Sequence, residues 1–205
     1  GLYLFLWNPL LLLHHIANGH NDMVMVVFIR AAAWAVAAGR YLWVIPALVA
    51  ATFTKYAAVV IVPFALWFLI QQGAVAAITG GLLIGGALFA LTAATYVPDF
   101  AQFKTGAITR NAQVSHASIH HFLFTIYKYI AMIPGWEQEN LAVRSTLKNM
   151  LLAIYTALYG FTAFRTWRLP DYTAQAFIRD ALIVTVGLVC LASLKFYPWY
   201  LGMFF

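Results

Sequence analysis

Residues 74–97 read AVAAITGGLLIGGALFALTAATYV, a run without one charged side chain. A helix needs roughly 20 apolar residues to cross the hydrocarbon core of a bilayer, so this stretch can span a membrane unaided. Its glycines do not form a phosphate loop, because Gly80–Gly86 lacks the Lys-Ser/Thr ending and is embedded in apolar sequence. The spacing of Gly81 and Gly85 instead predicts close packing against a second helix.

The rest of the chain has the same character. Of 205 residues, 64% are apolar and 9% charged, with a mean hydropathy of +0.83; a soluble domain carries about 25% charged residues. Twelve Lys and Arg with six Asp and Glu cannot cover a soluble globule of this length. An all-α, polytopic transmembrane helix bundle is expected, one transmembrane domain over residues 1–205. Seven hydrophobic segments are legible: Leu2–Ile16, Met23–Ala38, Tyr41–Phe53, Tyr56–Ile70, Ala74–Val97, Thr146–Phe164 and Phe177–Phe196. Thr54-Lys55 interrupts the third and fourth, which read either as two abbreviated helices or as one broken span. Residues 98–145 form an extended polar loop region, with an apolar patch at Phe122–Ile133 that suits an interfacial helix. The chain opens at Gly1 within one apolar stretch and closes at Phe205 within another, so it reads as a fragment of a longer protein.

Cys190 is the lone cysteine and lies in an apolar run, so no disulfide framework is expected. The net charge of +6 is dispersed over loops and helix ends, which argues against nucleic acid as a partner. A membrane phosphate is the better match for these cations. No cofactor and no metal site are expected: scattered histidines without a zincin motif do not define a metal centre.

If the segments alternate across the membrane, four polar clusters fall on one side: His14–Asp22, Thr54–Tyr56, Pro98–Ser145 and Lys195–Tyr200. The other side receives Arg40, the Gln71 turn and Arg165–Arg179. Counting Lys and Arg would put the polar-rich face in the cytoplasm. The resemblance described next implies the opposite orientation.

The densest polar string is Trp7-Asn8-Pro9-Leu10 followed by His14-His15-Ile16-Ala17-Asn18-Gly19-His20-Asn21-Asp22. Such residues between lipid-length helices are costly unless they line water or pair with one another. A helix cap at Asn21 or Asp22 would need one of them, not six. The order Asn-Pro-Leu, then Gly-His-Asn-Asp, then Thr54-Lys55-Tyr56 with Pro63, then Phe196-Tyr197-Pro198-Trp199-Tyr200-Leu201 resembles the integral-membrane C-type glycosyltransferases. The likeness is greatest to the bacterial mannosyltransferases of glycosyltransferase family 87.

That resemblance implies a polyprenyl-phosphate sugar donor, a lipid or glycan acceptor, and an active face on the non-cytoplasmic side of the bacterial inner (plasma) membrane. It also implies an N-terminal helix and a first outer loop, with a catalytic acidic residue, upstream of Gly1. Asp22, with His20 and Asn21 as hydrogen-bonding partners, is the candidate for orienting or activating substrate. Arg110, Lys55, Lys195 and His120 are candidates for the donor phosphate, whose developing charge preorganised cations stabilise. Asn8, His116, Trp199 and Tyr200 are candidates for sugar or acceptor binding. The alternative from another class is a transporter or flippase with a path lined by His20, Asp22, Lys55 and Arg30, since intramembrane ionisable residues also mark carriers.

Overall fold

The computed structural model of the chain describes residues 22–96, 118–130 and 141–193. Among the described residues every regular element is helical. In chain order these are α1 (Asp22–Ala37), α2 (Val44–Thr54), α3 (Val62–Gln71), α4 (Val75–Tyr96), α5 (Ile119–Ile130), α6 (Leu141–Arg168) and α7 (Ala174–Gly187). Tight 3₁₀ turns, Tyr41–Trp43 and Tyr56–Ile61, lead into α2 and α3, and α7 widens into a π turn over Leu188–Ala192. The architecture is an all-α bundle of membrane type, as the composition requires.

Two glycines punctuate it. Gly39 and Gly73 have φ of 68° and 63°, a left-handed conformation that costs any residue with a Cβ. At each, the chain closes its helix with the same reach-back bonds: Arg40 N–H to the Ala35 carbonyl at 2.8 Å, and Ala74 N–H to the Leu69 carbonyl at 3.0 Å. The next helix then starts at once.

Phe68 gathers the turns at one end of the bundle. Its ring meets Tyr41 at 5.6 Å, Tyr172 at 6.3 Å and Phe177 at 5.8 Å. The Gln72 amide also donates to the Tyr172 carbonyl at 3.4 Å. The α1–α2, α3–α4 and α6–α7 connections therefore share one end, the turn end. Residues 41–71 leave that end and return to it, forming a helical hairpin with Lys55 at its tip. The ambiguous block is two short helices.

Their length matters. Residues 41–54 rise roughly 20 Å, against a hydrocarbon core of about 30 Å. Helix α4, with 22 residues, reaches about 33 Å and crosses fully. It is also only 11% buried, and Leu82, Leu83, Phe89 and Leu91 stand exposed on it. An apolar face so open fits lipid, not water. The core is built from α1, α2, α3 and α7, where Ala32 and Ala35 of α1 and Ala65 of α3 let the backbones approach Val44, Leu48 and Val184.

Gly81 and Gly85 of α4 face α2 and the 3₁₀ turn before it. A Cβ on Gly81 would lie 3.2 Å from the Leu42 carbonyl oxygen and 3.3 Å from the Ile45 Cβ; one on Gly85 would lie 3.1 Å from the Val49 Cγ2. The expected close approach is present.

Some boundaries differ from the sequence reading. Helix α6 runs from Leu141 to Arg168, beyond the expected Thr146–Phe164 at both ends, because Arg and Lys are good helix formers that lower the hydropathy of a segment without ending the helix. The 98–145 region thus contains α5 and the first turn of α6. The first segment, Leu2–Ile16, lies outside the described residues.

Candidate active site

Lys55 interrupts the hairpin because its backbone is extended, at φ −157° and ψ 122°. Thr54 and Thr52 bond back along α2, to the Ala50 carbonyl at 3.0 Å and the Leu48 carbonyl at 2.8 Å. Such back-bonding hydroxyls satisfy themselves within apolar surroundings. The lysine amide closes α2 on the Ala51 carbonyl at 2.9 Å, and the lysine carbonyl accepts from Ala58 at 3.2 Å to begin the 3₁₀ turn. A charged side chain is thereby set at the tip of a hairpin too short to span.

Around that tip lies a cavity of about 150 Å³. Met25 and Ile29 of α1, Lys55 and Tyr56 of the tip, and Leu188 and Ser193 at the end of α7 contribute walls. The π turn shapes the last wall: Ser193 N–H bonds the Leu188 carbonyl at 2.8 Å, a five-residue step that widens the helix and shifts its end sideways. Distortions of this kind recur at functional sites.

Asp22 opens α1, three residues before the cavity-lining Met25. Lys195 follows Ser193 by two residues. The hairpin tip, the start of α1 and the end of α7 accordingly meet at one end, opposite the turns. Lys195 itself, with Asn8, His20, Asn21, Arg110, His116, Trp199 and Tyr200, lies outside the described residues.

His120 is placed differently from Lys55. It is 1% exposed, its Nε2 lies 2.9 Å from the Arg144 carbonyl, and its Nδ1 is buried without a partner among the described residues. A carbonyl only accepts, so Nε2 carries the proton and joins α5 to α6. Ser118 caps α5, its hydroxyl oxygen accepting from the His121 amide at 3.2 Å. Helix α5 packs on α6 and touches the π turn. Along α6, Arg144 stands roughly 36 Å from Arg168. His120 is not one of the residues that line the Lys55 cavity.

Residues 1–71 match the family model for the MptA_B family, alpha-(1->6)-mannopyranosyltransferase, N-terminal domain. The matched stretch ends where α3 ends, and so takes in α1, the hairpin and Lys55. It bears out the resemblance to mannosyltransferases carried by Asn8-Pro9, Gly19–Asp22 and Thr54–Tyr56, and it supports a glycosyltransferase of mannosyl type. Neither the curated proteins nor the solved structures gave a match to the chain.

Two features had no reading in the sequence. Thr185 and Ser193 of the α7 end join the cavity wall, and a π turn has no sequence pattern by which to find it. Asp180 is fully buried at the turn end. Arg165 Nη2 and Arg179 Nε both donate to its Oδ1, the latter at 3.0 Å, and Thr166 donates to Oδ2 at 2.7 Å. An acid inside an apolar segment was a legible signal for that cluster.

Proposed function

We propose that this chain carries part of a membrane glycosyltransferase that moves mannose from a polyprenyl-phosphate donor to an acceptor hydroxyl on the non-cytoplasmic face. The observation that supports this reading most is the recessed cavity where Lys55, the first turn of α1 and the end of α7 meet, within and beside the stretch that matches the mannosyltransferase family. A hairpin that stops short of the far interface lets water reach a lysine at lipid depth. The prenyl tail of the donor remains in lipid, and its phosphate comes to the cations.

In this proposal Lys55 holds the donor phosphate together with Arg110 and Lys195, His120 being buried against the Arg144 carbonyl, while Asp22, His20 and Asn21 orient the acceptor. Asn8, His116, Trp199 and Tyr200 contact sugar or acceptor. The acceptor oxygen attacks the anomeric carbon, the bond from that carbon to the phosphate oxygen breaks, and the electron pair leaves on the phosphate. The acceptor proton passes to a carboxylate, and attack opposite the leaving group inverts the anomeric centre. Removing one preorganised stabiliser of developing charge costs about 10²–10³ in rate.

The test is transfer from polyprenyl-phosphate-mannose by the complete protein. Lys55→Ala and Arg110→Ala are each expected to lower kcat/KM by about 10²-fold or more, and Asp22→Asn to lower kcat. Unchanged activity in Asp22→Asn and Arg110→Ala overturns these roles. Uptake into liposomes driven by a pH gradient, without sugar transfer, would make the protein a carrier.

A further inference from the structure

The cluster at the turn end has no part in the proposed transfer, since it lies at the opposite end from the Lys55 cavity. Asp180 is fully buried, yet its two arginine partners are not: the Arg165 and Arg179 side chains are 35% and 50% exposed. Both guanidinium groups grip one carboxylate oxygen, Oδ1, so they are held as neighbours, one from α6 and one from α7. Each carries five N–H donors. One donor of each is engaged on Oδ1, and each side chain keeps part of its surface open.

The charges do not cancel. Two arginines against one aspartate leave a surplus positive charge on the pair. Ordinarily two such groups repel and splay apart, but the shared carboxylate fixes them beforehand. A phosphate is the complementary ligand, because its oxygens accept from planar guanidinium forks in pairs.

The surroundings say which phosphate. Trp34 at the end of α1, Trp43 at the start of the hairpin and Trp167 at the end of α6 are each more than half exposed, and Phe68 ties their three connections into one end. Exposed tryptophans at helix ends sit at head-group depth. Arg168 folds its guanidinium onto the Phe164 ring, 4.3 Å from the centroid, which turns it back toward the bilayer. Arg40 is exposed on the α1–α2 turn, and Asp171 is the exposed acid of the α6–α7 loop.

We propose that Arg165 and Arg179, preset by Asp180, form a seat for the phosphate of an anionic phospholipid at the turn end of the bundle. A zwitterionic head group is a poorer ligand, since it brings its own cation to a site already in positive surplus.

The experiment uses the complete protein in detergent, with phosphatidylglycerol or phosphatidylcholine added back. Lipid retention is read by native mass spectrometry, and the shift in unfolding midpoint by a thermal scan. Wild type is expected to retain phosphatidylglycerol selectively and to gain several degrees from it alone. In Arg179→Gln, where Arg165 still neutralises Asp180, retention falls about tenfold, the weight of one strong charge-assisted contact, and the lipid-dependent gain disappears. Arg179→Lys keeps the ion pair to Asp180 and guards against misfolding; it should lose at least half of the gain. Arg40→Gln removes a charge from the same end but outside the seat, and should behave as wild type. An equal response to both lipids, an undiminished gain in both Arg179 variants, or an equal loss in Arg40→Gln would each overturn the proposal.

Discussion

Lys55 can stay charged at lipid depth only by reaching water or an anion. An extended residue between two helices carries the side chain at the tip of the hairpin, on a cavity wall, instead of along a helix flank where it would snorkel. The sequence exposed this residue plainly, as a cation between two apolar runs. It hid the role of His120, because the partner of that ring is a backbone carbonyl, and any residue supplies one. Tyr172 was concealed for a similar reason: an aromatic in a short polar loop reads as an interface anchor, whereas its ring is wholly buried against Phe68. Burial, and then the negative charge of Asp180, push its hydroxyl well above the ordinary value near 10. The neutral form is the one the fold favours. Tyr172 therefore contributes its stability below pH 10 and loses it as pH rises through the elevated value. The unfolding midpoint of the complete protein should decline above pH 10, and Tyr172→Phe should flatten that decline. An identical alkaline slope in the variant would remove Tyr172 as its cause.

Between elements, spacing was readable and distance was not. Gly81 and Gly85 announce a close contact, but the identity of the facing helix comes from topology, since α2 and α4 are separated by α3. The contrast among glycines is testable. Gly81→Leu drives a branched side chain into the Leu42 carbonyl and the buried Ile45, and overpacking of this kind costs about 1–3 kcal/mol. A methyl group added at Gly86 or Gly160 would meet nothing within 4 Å, so alanine at either should be neutral or raise stability by up to about 1 kcal/mol. Thermal unfolding of the three variants in one detergent gives the comparison, and similar midpoints for Gly81→Leu and Gly86→Ala would refute the packing argument. The turns were the easiest elements to find, because Gly39 and Gly73 end their helices through a conformation that few other residues accept. The limits of α6 were the hardest. Its first turns carry Arg144, Ser145 and Lys148, and a helix that leaves the bilayer has no hydrophobic pattern to mark where it starts.

Across the whole molecule, the two ends are unlike, and that asymmetry was legible from polar clusters alone. Alternation put Thr54–Tyr56 opposite Arg40, Gln71 and Arg165–Arg179, and the Phe68 contacts and the Lys55 cavity reproduce that division. What alternation could not supply was depth. Counting residues shows that a segment is short, but not whether its shortness falls at the near or the far interface, and the Tyr41–Phe68 contact decides it. The hairpin is moored at the turns, so its deficit falls at Lys55. Lipid neighbours must adapt to that deficit by thinning, at a cost of fractions of a kcal/mol per Å of mismatch. Bilayers of long-chain phospholipids would press this region harder than short-chain ones. Reconstituted in monounsaturated phosphatidylcholines of increasing acyl length at constant head group, the complete protein should carry out the proposed transfer more slowly as the host membrane thickens. Elongating the hairpin by one helical turn on each limb should shift the preferred host toward thicker membranes, which would make 41–71 a built-in gauge of membrane thickness.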